Sequence, residues 1–462
     1  MTNDHCDSHR HEAHNPKARL RHSRTTRMRY SRLMATMLAA LLAALPAAAA
    51  PPQLKYVVII TRHGVRSPTW DASRLSQYSA EPWPQWGVPP GDLTPRGRKL
   101  ILLMGAYYRD WLSRQRLLSR EGCQDAGRVY IWADTDQRTL ETGRAFAASL
   151  QPGCGLAIHS RTEGEKDPLF SGIGTPDPEL GLKAVRDRLA PDSDKLLSEL
   201  RPALVTLQSV LTGAQKAPQM LASSPPEIDV SLHGKSVELS QPFAAGATLS
   251  EDLLLEYADG MQGKDLGWGR LNNLNLYQVL ALHSAESDLV RRTPYLSRAR
   301  GSNLLVHVLE SIEQSATGRS VPGALGRTGD RLLILCGHDT NLSNISGILG
   351  LSWHLRGYRP DETPPGGALV FSLWRDPDSG QDFVTTQFVA QTLDQMRNVV
   401  RLTISTPPAE EDVSIPGCEA VRHDAACSWP LFESTLHRAI DPAFVSPDAG
   451  SGDPQHRTDQ TQ

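Results

Sequence analysis

The chain has 462 residues, 39% of them hydrophobic and 21% charged, with a formal net charge of −3. This length suits one large domain with an insertion, or two domains, and the composition suits a soluble globular protein. The first 32 residues carry eight Lys/Arg against three Asp/Glu, so the rest is acidic on balance and lacks the basic stripe that nucleic-acid binding needs.

The first element in chain order is a secretory signal over residues 33–50. Arg29 and Arg32 form its charged flank, Leu33 to Leu45 its apolar core, and Ala47 to Ala50 an A-x-A type cleavage site. The core is shorter than the roughly 20 apolar residues of a membrane span. The protein is therefore expected in the periplasm or outside the cell, with no stable membrane insertion after cleavage. Ahead of the signal, His5, Cys6, His9, His11 and His14 look like a metal-binding tract. A translation start at Met28 is the preferred reading of that segment, and no metal is assigned to it.

Tyr56-Val57-Val58-Ile59-Ile60-Thr61 is an apolar, β-branched run and is expected to be a buried strand. It ends on Arg62-His63-Gly64-Val65-Arg66-Ser67-Pro68-Thr69, which sets one imidazole between two guanidiniums. Guanidinium forks match pairs of phosphate oxygens, and a histidine held between them can act as a covalent nucleophile. A lone Arg-His pair would be an ordinary solvated turn. The whole octet behind a strand points instead to a phosphate site.

A Trp- and Pro-rich loop, Glu81 to Pro90, leads into Leu93-Thr94-Pro95-Arg96-Gly97, where Thr94 is a good N-cap and Pro95 suits the first helical position. Apolar residues then recur at helical spacing from Leu100 to Leu118. Val129 to Ala133 reads as the next strand, and Arg138 falls on the loop beyond it, before a helix from Leu140 to Leu150. Sequence does not fix cysteine pairing, but export permits disulfides. The local choice is Cys123–Cys154 and Cys418–Cys427. Cys336 is then left over, and a buried thiol acting as a small apolar residue is the preferred reading of it.

From about Ala184 to Leu309 leucines recur at helical spacing, which suggests a mostly helical insertion able to wall a cleft. Strands resume at Arg331–Cys336, Gly367–Leu373 and Phe383–Val389. The first of these ends on Gly337-His338-Asp339-Thr340-Asn341, ahead of a helix from Leu342 to Leu349. His338 offers another phosphate donor, and Asp339 a carboxyl group able to protonate a leaving oxygen. Alone, Gly-His-Asp is a helix-capping turn. Beside the first motif, beyond the carboxyl ends of strands where open α/β sheets bind ligands, it is the second half of a site. The tail beyond Phe444 is expected to be disordered.

The alternation of elements predicts an α/β fold: a mainly parallel sheet flanked by helices, with a smaller, mostly helical inserted domain. The expected divisions are an N-terminal extension and signal (1–50), a first α/β part (51–183), the helical insertion (184–309), a second α/β part (310–443) and the tail (444–462).

The paired motifs RHGVRSPT and GHDTN resemble those of the histidine acid phosphatases, the branch that includes bacterial periplasmic phytases and glucose-1-phosphatases. Further matches are LTPRG at Leu93, DQRT at Asp136, DPLF at Asp167, GWGR at Gly267, TPPGG at Thr363 and QTLDQMR at Gln391. The resemblance covers about Leu54 to Leu436 and implies a phosphoglycerate mutase-like fold. It implies His63 as the nucleophile that becomes phosphohistidine and Asp339 as the proton donor. Arg62, Arg66, Arg138 and His338 are then phosphate ligands, and Thr69 lies in the pocket. It also implies the two local disulfides. Three arginines neutralise phosphate charge without a metal, so no metal or cofactor is expected; the expected partner is a small phosphomonoester, and the expected state a monomer. Similar phytases carry lysine after the motif's threonine, where this chain has Trp70. Phytate, a sugar phosphate such as glucose 1-phosphate, and a nucleotide all remain open as substrates. The competing readings are a phosphomutase and a catalytically dead phosphate-ester binding protein.

Overall fold

The computed structural model describes residues 50–221, 227–418 and 426–446. The expected signal before Ala50, the His-rich segment ahead of it and the tail beyond Ser446 lie outside the described residues. The strands are β1 (Gln53–Arg62), β2 (Val129–Ala133), β3 (Ile158–His159), β4 (Val230–His233), β5 (Ser236–Leu239), β6 (Leu332–Gly337), β7 (Ala368–Arg375), β8 (Asp382–Ala390), β9 (Ala409–Asp412) and β10 (Ala426–Ser428). The longer helices are α1 (Pro95–Arg114), α2 (Gln137–Leu150), α3 (Pro178–Leu189), α4 (Ser193–Thr212), α5 (Phe243–Ala258), α6 (Asn273–Glu286), α7 (Pro294–Thr317), α8 (Asp339–Leu349) and α9 (Trp429–Ala439).

The large sheet has the order β10-β8-β7-β1-β6-β2-β3, with β9 also on β8. Strands β1, β6, β2 and β3 run parallel. On the other side β7 joins β1 antiparallel and begins an antiparallel half with β8, β9 and β10. The sheet is therefore mixed, and the site motifs all leave its parallel half. Alternate residues of β1 feed the two faces: Tyr56, Val58 and Ile60 enter one core with α7, α8 and α9, while Val57 and Ile59 enter another with α1 and α2. Burial on both faces explains why β1 and β6 are continuous apolar runs rather than alternating ones.

Register places the functional loops. Arg62 pairs with Gly337, and Ala133 with Cys336, so β1, β6 and β2 finish level with one another. Backbone bonds then hold the emerging loops together: His63 N–H donates to the Gly337 carbonyl (2.9 Å) and Asp134 N–H to the Cys336 carbonyl (3.0 Å). Cys336 itself is a buried thiol, its pKa raised by burial. The disulfides Cys123–Cys154 and Cys418–Cys427 are both formed.

The expected helical region has its own apolar core, built from α3, α4, α5 and α6. It also holds a two-stranded hairpin, β4–β5, which helical spacing alone did not suggest. Helix α7, within which the expected insertion would end, is continuous to Thr317 and packs Leu304, Leu305, Val308 and Leu309 into the sheet's core. Helix α5 joins the two bodies: Leu249, Leu253 and Leu254 face the helical core, Leu255 and Ala258 the sheet core. Helix α1 stops at Arg114, short of Leu118, and Leu117 and Leu118 are buried beyond it.

Helix α1 also clamps the first motif. Thr94 caps it by accepting from Gly97 N–H at 2.8 Å, and Thr94 N–H donates to the Val65 carbonyl at 2.9 Å. A Cβ on Gly97 would stand 2.1 Å from that carbonyl oxygen. Gly97→Ala must push the loop and helix apart, at a cost of ~1–3 kcal/mol. Urea denaturation should show that loss, and an unchanged midpoint would mean that the loop is not clamped by α1.

Candidate active site

His63 is 2% exposed, at the end of β1. Its Nδ1 lies 2.8 Å from the Gly64 carbonyl oxygen. A carbonyl can only accept, so Nδ1 carries the hydrogen and Nε2 is left with a free lone pair. Burial holds the ring's pKa well below the usual histidine value, and Arg62, Arg138, His338 and Arg66 reinforce the shift. The imidazole is therefore neutral well into acidic pH, the state a nucleophile needs.

The predicted phosphate ligands gather round it. The His338 ring stands edge-on to His63, 5.6 Å between centroids. Its Nε2 is 2.7 Å from Asp134 Oδ2, and its Nδ1 is 3.5 Å from Arg138 Nη2. Arg138 also pairs with Asp136 at 2.6 Å. Thr69 and Arg138 flank Gly91, where an added Cβ would meet both within 3.7 Å; this sets Thr69 beside the cationic cluster, exposed at its rim. The Nε–H groups of Arg62 and Arg138 are buried without a hydrogen-bond partner among the described residues. Buried donors are normally satisfied, so two unused guanidinium donors beside a nucleophile suit an anionic ligand.

Sequence reasoning missed the counter-charges. Glu251, in the middle of α5, accepts from Arg62 through one carboxylate oxygen and from Arg66 through the other at 2.9 Å. Burial opposes its ionisation, but Arg66 and Arg62 hold its pKa down to about 2. Its neighbour Asp252 is 1% exposed, makes no hydrogen bond among the described residues, and lies 3.9 Å from Arg66 Nη1; burial lifts its pKa to about 7. Asp339 opens α8 and takes a close ion pair from Arg291. Burial resists ionisation there too, yet Arg291, His283 and Arg62 hold the carboxyl well below the usual aspartate range. One signal was legible: Glu251, Asp252 and Glu256 interrupt the apolar run Leu249 to Ala258, and charges on a helix buried all round need partners.

Among the described residues, two groups have donor atoms close enough to hold a metal: Asp134, Asp136 and His338, and Glu251, His283 and Asp339. In both, guanidiniums already occupy carboxylates, Arg138 in the first and Arg62, Arg66 and Arg291 in the second.

Trp70 follows Thr69 at the rim. Its ring carries the Arg74 guanidinium 3.7 Å above it and leans on Tyr78. A cation is thus present beside the indole, supplied four residues later by a short helix, Ala72–Leu75.

Residues 53–223 and 255–403 match the sequence profile of the histidine phosphatase superfamily (branch 2). The chain is 34% identical to phytase AppA of Escherichia coli (strain K12), over 86% of this chain and 94% of that one. It is 27% identical to a glucose-1-phosphatase of Providencia rettgeri, over 84% and 92%. Among solved structures, Hafnia alvei phytase in complex with myo-inositol hexakis sulphate is similar with a TM-score of 0.77 and 36% identity, over 85% of this chain and 99% of that one. The phytase of Citrobacter braakii gives 0.75 and 34%, over 84% and 98%.

The Glu251 bridge makes stability depend on pH. Its carboxyl is depressed in the folded state, so the contribution is complete above the ordinary carboxyl pKa and is lost as pH falls toward 2. At neutral pH, Glu251→Gln leaves two buried guanidiniums without their bridging carboxylate, a loss of about 3–5 kcal/mol. Inorganic phosphate should raise the Tm of this variant more than that of the parent, because it supplies the missing negative charge. Equal phosphate shifts in thermal melts would show that the bridge does not sit at the anion site.

Proposed function

The chain belongs to branch 2 of the histidine phosphatase superfamily and is a phosphomonoester hydrolase; on that premise we propose that it works through a phosphohistidine at His63. The observation that carries this reading is the His63 ring itself, buried, neutral and tied at Nδ1 to the Gly64 carbonyl, with guanidinium donors unused beside it. Arg62, Arg66, Arg138 and His338 bind the phosphate, and Thr69 lines the pocket. Phosphoryl transfer asks mainly for positioning and neutralisation of oxygen charge, which this set of residues supplies.

In the first step, which needs the protonated form of the Asp339 carboxyl, His63 Nε2 bonds to phosphorus, the ester P–O bond breaks, and Asp339 gives its proton to the departing oxygen. In the second, water attacks phosphohistidine, Asp339 takes the water's proton, and phosphate leaves with His63 restored. The same carboxyl serves as acid and then as base.

For substrate, phytate is the favoured reading. The similar Hafnia alvei enzyme is a phytase solved with an inositol hexakis sulphate, and Arg74 over Trp70 gives this chain a rim cation for a second phosphate. A sugar phosphate is the alternative, favoured by the indole of Trp70 and by the similarity to glucose-1-phosphatases. Export to the periplasm or the medium, expected from the signal segment, fits either. Among the described residues no helix is long and apolar enough to cross a membrane.

The purified protein should release p-nitrophenol from p-nitrophenyl phosphate with a chelator present, and His63→Ala should lower that rate by at least about a thousandfold, the scale of losing an essential nucleophile. Loss of turnover on chelation, or a His63→Ala rate near the parent's, would contradict the proposal. Because the His63 pKa is lowered, the neutral nucleophile persists below pH 6.5, and kcat/KM should stay high on the acidic side. An acid limb falling with an apparent pKa of about 6.5, the unperturbed histidine value, would mean that His63 is not so perturbed. A side-by-side panel of phytate, glucose 1-phosphate and AMP at acidic pH separates the substrate readings: the highest kcat/KM should fall on phytate, and a clear preference for glucose 1-phosphate would select the alternative.

A further inference from the structure

Asp339 meets two cations from the helical region. Arg291, at the end of the turn Ser287–Arg291 that follows α6, donates to Asp339 Oδ2 through Nη1. His283, on α6, places Nε2 3.8 Å from the same oxygen. The other side of that imidazole is fixed, with Nδ1 2.8 Å from Glu362 Oε1, and Ser284 Oγ donates to the second Glu362 oxygen at 2.9 Å. Burial opposes charge on His283, but Glu362 and Asp339 outweigh it and lift its pKa to about 10, so the ring is a buried cation. Arg62 also favours an ionised Asp339, Glu251 opposes it, and Arg138 lies within electrostatic reach.

A general acid must hold a proton until the leaving oxygen takes it. A carboxyl clasped by a guanidinium gives up that proton early. His283 is 3% exposed and pinned from behind, whereas the Arg291 side chain is 21% exposed and sits on the reacting carboxyl directly. We infer that Arg291 is a positioning residue that governs when Asp339 can deliver a proton: its Nη1 occupies Oδ2, the oxygen that would carry that proton, and esters with poor leaving groups turn over only as that contact loosens. The inference rests on the phosphohistidine reading above. In the step concerned the His63–phosphorus bond forms, the ester P–O bond breaks, and the proton passes from Asp339 Oδ2 to the departing oxygen. Arg291 acts on this step through Asp339.

The test compares pH profiles of kcat for the parent, Arg291→Gln and Arg291→Lys on two esters. The p-nitrophenolate of p-nitrophenyl phosphate leaves without a proton, and the alkoxide of glycerol 2-phosphate needs one. Arg291→Gln should move the alkaline limb on glycerol 2-phosphate upward by about one pH unit relative to the limb on p-nitrophenyl phosphate, the scale on which a neighbouring cation moves a carboxyl. Arg291→Lys should return it toward the parent. Equal displacement on both esters, or none, would overturn the inference and leave Arg291 a structural ion pair. Arg291→Met, which keeps the apolar stem, replaces the Gln variant if that fails to fold. Failure of the parent to release phosphate from either ester would instead sink the phosphatase reading.

Discussion

Crowding of positive charge round one neutral imidazole is the constraint on which the rest of this structure depends. Arg62, Arg66, Arg138 and His338 all act electrostatically on His63. A fold that brings them together must supply negative charge without filling the place where a phosphate would bind. It does so from behind, with Glu251 bridging Arg62 and Arg66, Asp136 on Arg138 and Asp134 on His338. Burial keeps the nucleophile unprotonated, and the same groups that would receive a phosphate reinforce it. Binding and reactivity therefore come from one charge arrangement.

The sheet and the helical region divide this work. Level strand ends put the Arg62–Thr69, Asp134–Arg138 and His338–Asp339 segments on one edge, and backbone bonds between neighbouring loops hold their spacing. The helical region supplies Glu251, His283 and Arg291, which pair with charged groups on the sheet edge. Helix α5 can carry Glu251 there because its apolar residues enter both cores. Disturbing the helical packing should therefore reach the chemistry through charge as well as through shape.

The sheet edge was legible in the sequence, and its counter-charges were not. Strands such as Val129–Ala133 announce themselves through local composition, and the motif residues follow directly in the chain. Glu251 stands 185 residues from Arg66, and nothing local says which of the acids on α5 will face an arginine. Arg291 and Asp339 are likewise joined only by tertiary packing. The β4–β5 hairpin escaped because its two strands are four residues each, too short for a periodicity to show. The early end of α1 escaped because Leu117 and Leu118 stay buried after the helix has stopped, so apolar spacing outlasts the helix. Substrate choice lies at the same limit: Trp70 was visible, but the guanidinium stacked on it was not.

Everything above requires that His63 carry the phosphoryl group between the two chemical steps. Millisecond quenching of the enzyme with p-nitrophenyl phosphate, followed by mass spectrometry of the digested protein and 31P NMR of the quenched enzyme, tests it directly. The expected result is an acid-labile, base-stable phosphoryl group on the peptide containing His63, attached at Nε2. Phosphate on another residue, or turnover with no phosphoenzyme at any quench time and with inverted configuration at phosphorus, would contradict it.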